Sequence, residues 1–272
     1  MQLHHSIGGT GFPILCLHGH PGSGGCMSVF SEHLSQRFRT IAPDLRGYGK
    51  SRVSGTFEMS DHLLDLESLL DRLGIDRTLV LGWSLGGILA MELALRSPWR
   101  VTGLILVATA ARPRGSHPPI SWQDNLFTGL AGVVNWVKPG CRWNIDTLGR
   151  RSLFRYLLGR QSPEAYRYIA REATPAYLRT SPTATRALRQ ALRAGYDRLG
   201  ELETLTCPAL VLAGERDRHI TAASSRETAG RLPNAEFYCY PDTAHLLPWE
   251  ISDRIRADID RWLDAHPEVL RP

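Results

Sequence analysis

Residues 78–87 read TLVLGWSLGG, and this stretch decides the fold because it leads from an apolar run through a serine into a helical pattern. The run Thr78–Trp83 predicts a buried strand, and Leu85–Arg96, followed by Pro98, predicts a helix. A serine in such a strand-to-helix turn projects its hydroxyl, and glycines two residues to either side let the turn approach its neighbours. The start of the helix offers backbone N–H groups to a developing oxyanion. We therefore predict that Ser84 is a nucleophile.

The alternation of strand and helix continues on both sides of this turn. Six apolar runs predict strands, and most are continuous, as in a parallel sheet buried on both faces: residues 13–18, 39–42, 78–83, 103–108, 208–213 and 235–240. Helical patterns lie between them at residues 59–73, 85–96, 224–232 and 251–263. This order predicts an α/β fold with a doubly wound, mostly parallel sheet.

The alternation stops between residues 111 and 200, where no strand can be recognised. Helical stretches are predicted there at residues 126–137, 152–158, 163–172 and 183–199. We therefore expect a core formed by residues 1–110 and 201–272 and a helical cap formed by residues 111–200. Apolar residues recur at helical spacing in the first of these helices: Leu126, Leu130, Val133, Val134 and Val137. Core contacts within the cap are the simplest interpretation, and a substrate-lining or membrane-facing role is the alternative.

Positive charge is concentrated in the predicted cap. The chain has a formal net charge of +5, but residues 111–200 hold fifteen basic and five acidic side chains, so the remainder is net negative. A solvated face is the default interpretation. An acidic carrier protein or acidic substrate is the next, and weak contact with a membrane surface is a third. Nucleic acid is disfavoured because no binding motif accompanies the charge.

The sequence shows no signal that would direct the chain out of the cytoplasm. Its start, MQLHH, has neither the basic nor the apolar region of a signal peptide. The longest apolar run, residues 103–111, is far shorter than the ~20 residues that a membrane span needs. The five cysteines are odd in number and form no CxxC pair, as expected of reduced thiols. We expect a cytoplasmic protein without a transmembrane segment.

A nucleophilic serine needs a base, and the base needs an acid that orients it. The run 208–213 leads to Asp217, and the last predicted strand leads to His245. Both residues would then lie at the carboxyl ends of parallel strands, where catalytic groups of α/β sheets gather. The order serine, acid, histidine is also the one found with this type of serine turn. We predict that His245 is the base and Asp217 the acid.

Other histidines and acids fit these roles less well. His266 lies in the C-terminal tail, His117 lies in the insertion, and His219 follows Asp217 too closely to be its partner. Glu215 and Asp242 are rival acids, for which loop hydrogen bonding or solvation is the simpler explanation.

An oxyanion site needs a second donor besides the N–H of Leu85. Residues 18–25 read HGHPGSGG and follow a strand, so this loop ends at the same edge of the sheet as Ser84. We predict that the backbone N–H of His20 is the second donor. The lysine of a phosphate-binding loop is absent, and His18 and His20 have no further spaced ligands, so we expect no metal. In the segment DLRGYGKS, Asp44 and Arg46 with two glycines are expected to have a structural role in holding a loop near the site.

Together these segments resemble the α/β-hydrolase superfamily over about residues 8–110 and 205–265. The motifs on which this resemblance rests occur in the expected order: HGHPGSG, APDLRGYGKS, GWSLGG, LAGERD and DTAHLLPWE. The resemblance implies Ser84 as nucleophile, Asp217 as acid, His245 as base, and His20 and Leu85 as oxyanion donors. Relatives often have a proline where the loop after Asp217 reads RHIT, and the N-terminus looks too short for an early edge strand.

The resemblance also limits the chemistry. Dehalogenases and epoxide hydrolases of this superfamily carry aspartate at the position of Ser84, which argues against both. The strand-to-helix turn GWSLGG is similar to that of pimeloyl-carrier-protein methyl ester esterases. We expect hydrolysis of a small-molecule carboxylic ester through an acyl-enzyme, without a cofactor. A carbon–carbon bond hydrolase, a lactonase, a cofactor-free perhydrolase or a small-molecule receptor with little turnover are the alternatives. Trp83 and Trp249 are candidate substrate-binding walls, or else core residues.

Overall fold

Seven strands form one sheet in the computed structural model, which describes residues 1–271: β1 His5–Gly8, β2 Pro13–Leu17, β3 Arg39–Pro43, β4 Thr78–Trp83, β5 Val101–Val107, β6 Ala209–Gly214 and β7 Ala235–Tyr240. Their order across the sheet is β1-β3-β2-β4-β5-β6-β7. Every neighbouring pair is parallel except β1 with β3. The predicted α/β fold with a mostly parallel sheet is thereby confirmed.

The first strand was not expected from the sequence. It runs antiparallel to β3, with His5 opposite Pro43 and Gly8 opposite Thr40. The strand His5–Gly8 therefore forms an edge of the sheet that the apolar runs did not predict. The four residues HSIG at a sheet edge are partly exposed, so they lack the continuous apolar run that marks the central strands.

Twelve α-helices accompany the sheet: α1 Ser28–Leu34, α2 Asp61–Arg72, α3 Leu85–Arg96, α4 Trp122–Val137, α5 Arg142–Thr147, α6 Phe154–Leu157, α7 Pro163–Tyr168, α8 Thr174–Leu178, α9 Pro182–Arg193, α10 Ala222–Ala229, α11 Leu247–Glu250 and α12 Ser252–Ala265. A π-helical turn, Ile169–Ala173, links α7 to α8. Six of these helices, α4 to α9, lie between β5 and β6, in the segment predicted to form the cap. None of the helices within residues 1–271 is long and apolar enough to cross a bilayer.

The sheet is buried on both faces, which makes it a rigid platform for the site. All six residues of β4 are buried, and its apolar side chains are divided between two clusters on opposite faces of the sheet. Leu81 joins the cluster that contains Ile259 and Trp262 of α12, whereas Val80 joins the cluster that contains Leu89 of α3. Loops that follow the strands therefore leave one fixed edge of the sheet.

The apolar repeat of α4 faces away from the protein. Four of its five residues are between 46% and 77% exposed: Leu126, Leu130, Val133 and Val137. The fifth, Val134, is half-buried. The positions that face inward are Asp124, Ala131 and Asn135. The interpretation of this repeat as core contacts was wrong, because helical periodicity marks an apolar face but does not say whether that face points inward.

Candidate active site

Ser84 lies in the turn between β4 and α3 with φ 55° and ψ −116°, a conformation that residues with a side chain rarely adopt. Hydrogen bonds hold it there, since its N–H donates to the Val107 carbonyl at 2.9 Å and its own carbonyl accepts from Thr109 Oγ1 at 2.8 Å. Glycine is required at two nearby positions. A Cβ on Gly82 would collide with the Gly86 carbonyl, and one on Gly86 with the Leu17 carbonyl.

The side chains of Ser84, His245 and Asp217 form one hydrogen-bonded chain. His245 Nε2 lies 3.0 Å from Ser84 Oγ, and His245 Nδ1 lies 2.8 Å from Asp217 Oδ2. A protonated Nδ1 donating to the carboxylate leaves Nε2 free to accept the serine hydroxyl. The second carboxylate oxygen of Asp217 accepts the backbone N–H groups of His219 and Ile220 at 2.7 and 3.0 Å. All three side chains are buried, so the arrangement is held by the protein and shielded from water.

The rival acids and the tail histidine are engaged elsewhere. Glu215 accepts the backbone N–H of Asp242 at 3.3 Å, and Asp242 forms an ion pair with Arg216. His266 stacks on Trp262 with ring centroids 4.8 Å apart. These contacts leave Asp217 as the acid that reaches His245.

Two histidines that the sequence analysis set aside lie against the site. The ring of His219 packs on His245, and His117 stacks on His219 with centroids 5.9 Å apart and planes within 9° of parallel. Backbone hydrogen bonds from Ser116 to the Arg218 carbonyl and from Thr221 to the Arg114 carbonyl join the two loops. No spacing rule could have found this pair, because the chain between His117 and His219 is long and mostly helical.

The loop after β2 passes directly beside the nucleophile. A Cβ on Gly19 would lie 3.1 Å from Ser84 Cβ. Within residues 1–271, neither the N–H of His20 nor that of Leu85 donates to a protein acceptor, so both remain free for a ligand. The His20 ring hydrogen-bonds the Tyr48 hydroxyl at 2.9 Å, and burial, reinforced by the charges of His18 and Arg189, lowers the pKa of His20 to about 4.

His18 supports this loop from inside. Its Nε2 accepts the backbone N–H of Leu45 at 3.1 Å, and its Nδ1 lies 2.8 Å from the Gly19 carbonyl. Burial lowers the pKa of His18 to about 4, so the ring is neutral near pH 7. Both ring nitrogens are thus used in holding backbone. In the part of the chain that the structure describes, no group of three or more histidine, cysteine, aspartate or glutamate side chains is arranged to hold a metal ion.

Asp44 and Arg46 each hold a loop, as the structural interpretation of this segment expects. Asp44 accepts the backbone N–H groups of Gly24 and Lys50, each at 2.8 Å, whereas Arg46 forms a two-pronged pair with Asp65 at 2.6 and 2.8 Å. Asp44 directly follows β3 and therefore faces the loop beside the nucleophile, while Arg46 lies over α2. Each side chain fixes a loop, but through a different partner.

Trp83 and Trp249 lie behind the base. Both are buried, and their rings meet edge to face with centroids 4.9 Å apart. Trp83 Nε1 donates to the His245 carbonyl at 3.2 Å, and Trp249 stacks on Tyr168 of the helical insertion. Their predicted contact with substrate stays a prediction, since the contacts present here place them against His245 and within the core.

This arrangement is suited to nucleophilic acyl transfer. It combines a serine hydroxyl, an imidazole positioned to take its proton, a carboxylate that orients the imidazole, and two free backbone N–H groups beside the serine.

Comparison with known proteins agrees with the fold. Residues 13–250 match the model of a family described as alpha/beta hydrolase fold. The chain is 30% identical to the pimeloyl-[acyl-carrier protein] methyl ester esterase of Nitrosomonas europaea, over 90% of this chain and 92% of that protein. It is 29% identical to the 2-hydroxymuconate semialdehyde hydrolase of Pseudomonas putida, over 94% and 88%.

A solved structure is similar over nearly the whole chain. The thermophilic esterase of Thermogutta terrifontis superposes with a TM-score of 0.69 at 29% identity, covering 97% of this chain and 93% of that one. The fold is therefore shared with several hydrolases.

Proposed function

The chain belongs to the α/β-hydrolase fold family, and on that premise we propose that it is a serine hydrolase that cleaves carboxylic esters with Ser84 as nucleophile. The observation that carries the proposal is the hydrogen-bonded chain from Ser84 through His245 to Asp217, at 3.0 and 2.8 Å. Esterases among the relatives support an ester as the substrate. The cytoplasmic location expected from the sequence remains a prediction.

The proposed reaction is acyl transfer in two halves. His245 takes the proton of Ser84 as its oxygen attacks the ester carbonyl, and Asp217 stabilises the imidazolium that forms. The backbone N–H groups of His20 and Leu85 are proposed to bind the oxyanion. His245 then protonates the leaving alcohol. Water repeats the sequence on the acyl-enzyme and releases the acid, which regenerates Ser84.

Hydrolysis of nitrophenyl esters from acetate to laurate, by wild type and by Ser84→Ala, tests the proposal. We expect wild-type turnover that the variant loses, and a chain-length optimum that measures the acyl pocket. A fluorophosphonate should add its mass to a peptide that contains Ser84. The proposal would be contradicted if the wild type neither reacted with the fluorophosphonate nor turned over any ester.

Carbon–carbon bond hydrolysis is the second candidate, because the 2-hydroxymuconate semialdehyde hydrolase is a relative of similar identity. The same serine, base and oxyanion donors can serve both reactions. Kinetics on a ring-cleavage semialdehyde and on the ester series distinguish the two reactions. The type of bond that the enzyme naturally cleaves, ester or carbon–carbon, should give the higher kcat/KM. The lactonase and perhydrolase alternatives are tested in the same way, with a lactone and with peroxide plus halide. Acylation of Ser84 without release would favour the receptor alternative.

An acidic carrier protein is a candidate partner for the insertion. Helix α9 lines a surface cleft of about 420 Å³ with three exposed arginines, Arg186, Arg189 and Arg193. Arg189 is close enough to the loop beside the nucleophile that its charge contributes to the lowered pKa of His20. A carrier that presents its acyl group to Ser84 would therefore meet positive charge near the entrance.

Salt dependence tests this partner. If a carrier binds at α9, kcat/KM for a carrier-bound ester should fall steeply with ionic strength, whereas kcat/KM for a small neutral ester should not. Arg186→Ala combined with Arg193→Ala should reduce only the carrier-bound reaction. Arg52→Ala, an exposed arginine on the core, is the control. Equal salt dependence for both substrates would contradict the carrier.

A further inference from the structure

Helix α4 presents its apolar side to solvent. At about 100° per residue, Trp122, Leu126, Leu130, Val133 and Val137 fall within one sector of about 80°. The two tryptophans of the helix, Trp122 and Trp136, are 72% and 68% exposed. We call this surface, together with the neighbouring Trp143 (61% exposed), the α4 outer face. Continuous apolar surface of this kind on one helix is unusual in a protein without a partner.

The helix cannot bury this face by rolling, because polar contacts hold its other side. Asp124 forms a reciprocal cap with Ser121 and an ion pair with Arg155 at 2.6 Å. Asn135 donates to the Tyr166 carbonyl at 2.6 Å. Rotation would break the Asp124–Arg155 ion pair and the Asn135–Tyr166 hydrogen bond, which would leave buried polar groups without partners. The outer face is therefore a permanent feature of the surface.

Unpaired positive charge surrounds the face. Between Trp122 and Arg160 the two acids, Asp124 and Asp146, are each paired with an arginine. Within the described residues, Lys138, Arg142 and Arg151 have no carboxylate partner: Lys138 and Arg142 follow the end of α4, and Arg151 lies over the Phe127 ring at 5.9 Å. An occupant of the α4 outer face thus meets an apolar strip edged by cations.

We propose that the α4 outer face docks on the surface of an anionic lipid bilayer. Tryptophan, leucine and valine would enter the boundary between headgroups and acyl chains, while the cations contact lipid phosphates. A second copy of the chain fits less well, because a two-fold contact through this face would gather Lys138, Arg142 and Arg151 of both copies in one interface with no carboxylate to pair them. The geometry is independent of the catalytic proposal.

A cleft at the C-terminal end of the helix fits a headgroup. It has a volume of about 570 Å³, and its walls include Trp136, Tyr168, Arg167 and Arg171, with Glu164 also at its edge. The aromatic rings of this cleft can contact the apolar chain of an anionic lipid, and the guanidinium groups beside them can bind its phosphate.

Vesicle binding by the full chain tests the proposal. Co-sedimentation is measured with vesicles of phosphatidylcholine alone and with equal parts of phosphatidylcholine and phosphatidylglycerol. We expect binding to the anionic vesicles that weakens as salt is raised, and much weaker binding to the neutral ones. Trp136→Ala should weaken binding about tenfold, since it removes a large apolar contact.

The matched control is Trp99→Ala. Trp99 is 67% exposed, almost the same as Trp136, but it precedes β5 at the edge of the sheet opposite the active site. It should bind vesicles like wild type. A double variant, Leu130→Ser with Val133→Ser, should also lose binding while its circular dichroism stays unchanged. Wild-type protein that remains in the supernatant with all vesicles would overturn the proposal. So would a dimer in sedimentation that Trp136→Ala dissociates, or equal losses for Trp99→Ala and Trp136→Ala.

Discussion

The ring of His219 packs edge to face on the ring of His245, with centroids 4.6 Å apart and planes inclined by 66°. The opposite side of His219 is covered by His117 from the insertion. Desolvation by this packing, reinforced by the charges of His245 and His117, lowers the pKa of His219 below its usual value, although the residue as a whole is exposed to solvent. His219 is therefore neutral near pH 7 and can fix the position of His245 without repelling its protonated form.

His219→Ala should lower kcat about tenfold with KM changed less than about twofold, because a loosened His245 slows the proton transfer and leaves binding intact. His219→Phe keeps the ring contact and should restore kcat to within about threefold of wild type. Steady-state kinetics on a nitrophenyl ester measures both variants. Equal losses in His219→Ala and His219→Phe would show that packing on His245 is not what His219 contributes.

Asp217→Asn should reduce kcat by about 10⁴, because an amide no longer holds His245 in the tautomer that accepts the serine proton. Glu215→Gln provides the matched control two residues away. Among the described residues its carboxylate accepts the backbone N–H of Asp242 and makes no contact with His245, so kcat should change less than about twofold. A large loss in Glu215→Gln with a small one in Asp217→Asn would reverse the assignment of the acid.

Gly86→Ala should destabilise the fold by about 3 kcal/mol, because its Cβ would collide with the carbonyl of Leu17 on the neighbouring strand. Gly129→Ala is the control, since a Cβ there meets nothing within 4 Å and alanine favours the helix by about 1 kcal/mol. Denaturant unfolding gives both free energies. A Gly86→Ala variant as stable as wild type would mean that β2 can move away from the turn that contains Ser84.

His62 should make the protein sensitive to acid. Its side chain is buried, neither ring nitrogen has a partner among the described residues, and burial, reinforced by the charge of His18, lowers its pKa to about 4. An unfolded histidine ionises near pH 6.5, so between pH 6.5 and 4 the unfolded state binds more protons and the folded state loses stability as the pH falls.

His62→Leu removes this loss. Between pH 6.5 and 4, the free energy of unfolding of wild type should fall by about 3 kcal/mol more than that of the variant. Below pH 4 the difference should level off, because both states of wild type are then protonated. Denaturant titrations at several pH values provide the measurement. If the free energies of unfolding of the two proteins change with pH in the same way, the pKa of His62 does not differ between the folded and unfolded states.

Local signals were sufficient for much of the fold. The six predicted strands are present, with ends that differ from the predicted bounds by at most two residues, because each central strand is an apolar run bounded by turns. The edge strand His5–Gly8 and helix α1 were missed, since both are short and the strand is partly exposed. An element of four to seven residues has too few positions for a periodic pattern to be recognised.

The sequence by itself determined the α/β order of elements and placed Ser84, Asp217 and His245 after strands, so the rule for parallel sheets already brought them to one edge. Only the tertiary structure decided which side chains from distant parts of the chain come into contact at this edge: His117 stacks on His219, and Trp83 donates to the carbonyl of His245. It also decided that Asp44 binds backbone rather than Arg46, and that the apolar side of α4 faces outward. Periodicity and spacing describe the chain along its own length, whereas contacts between distant loops and the inward side of a helix depend on the packing of the whole protein.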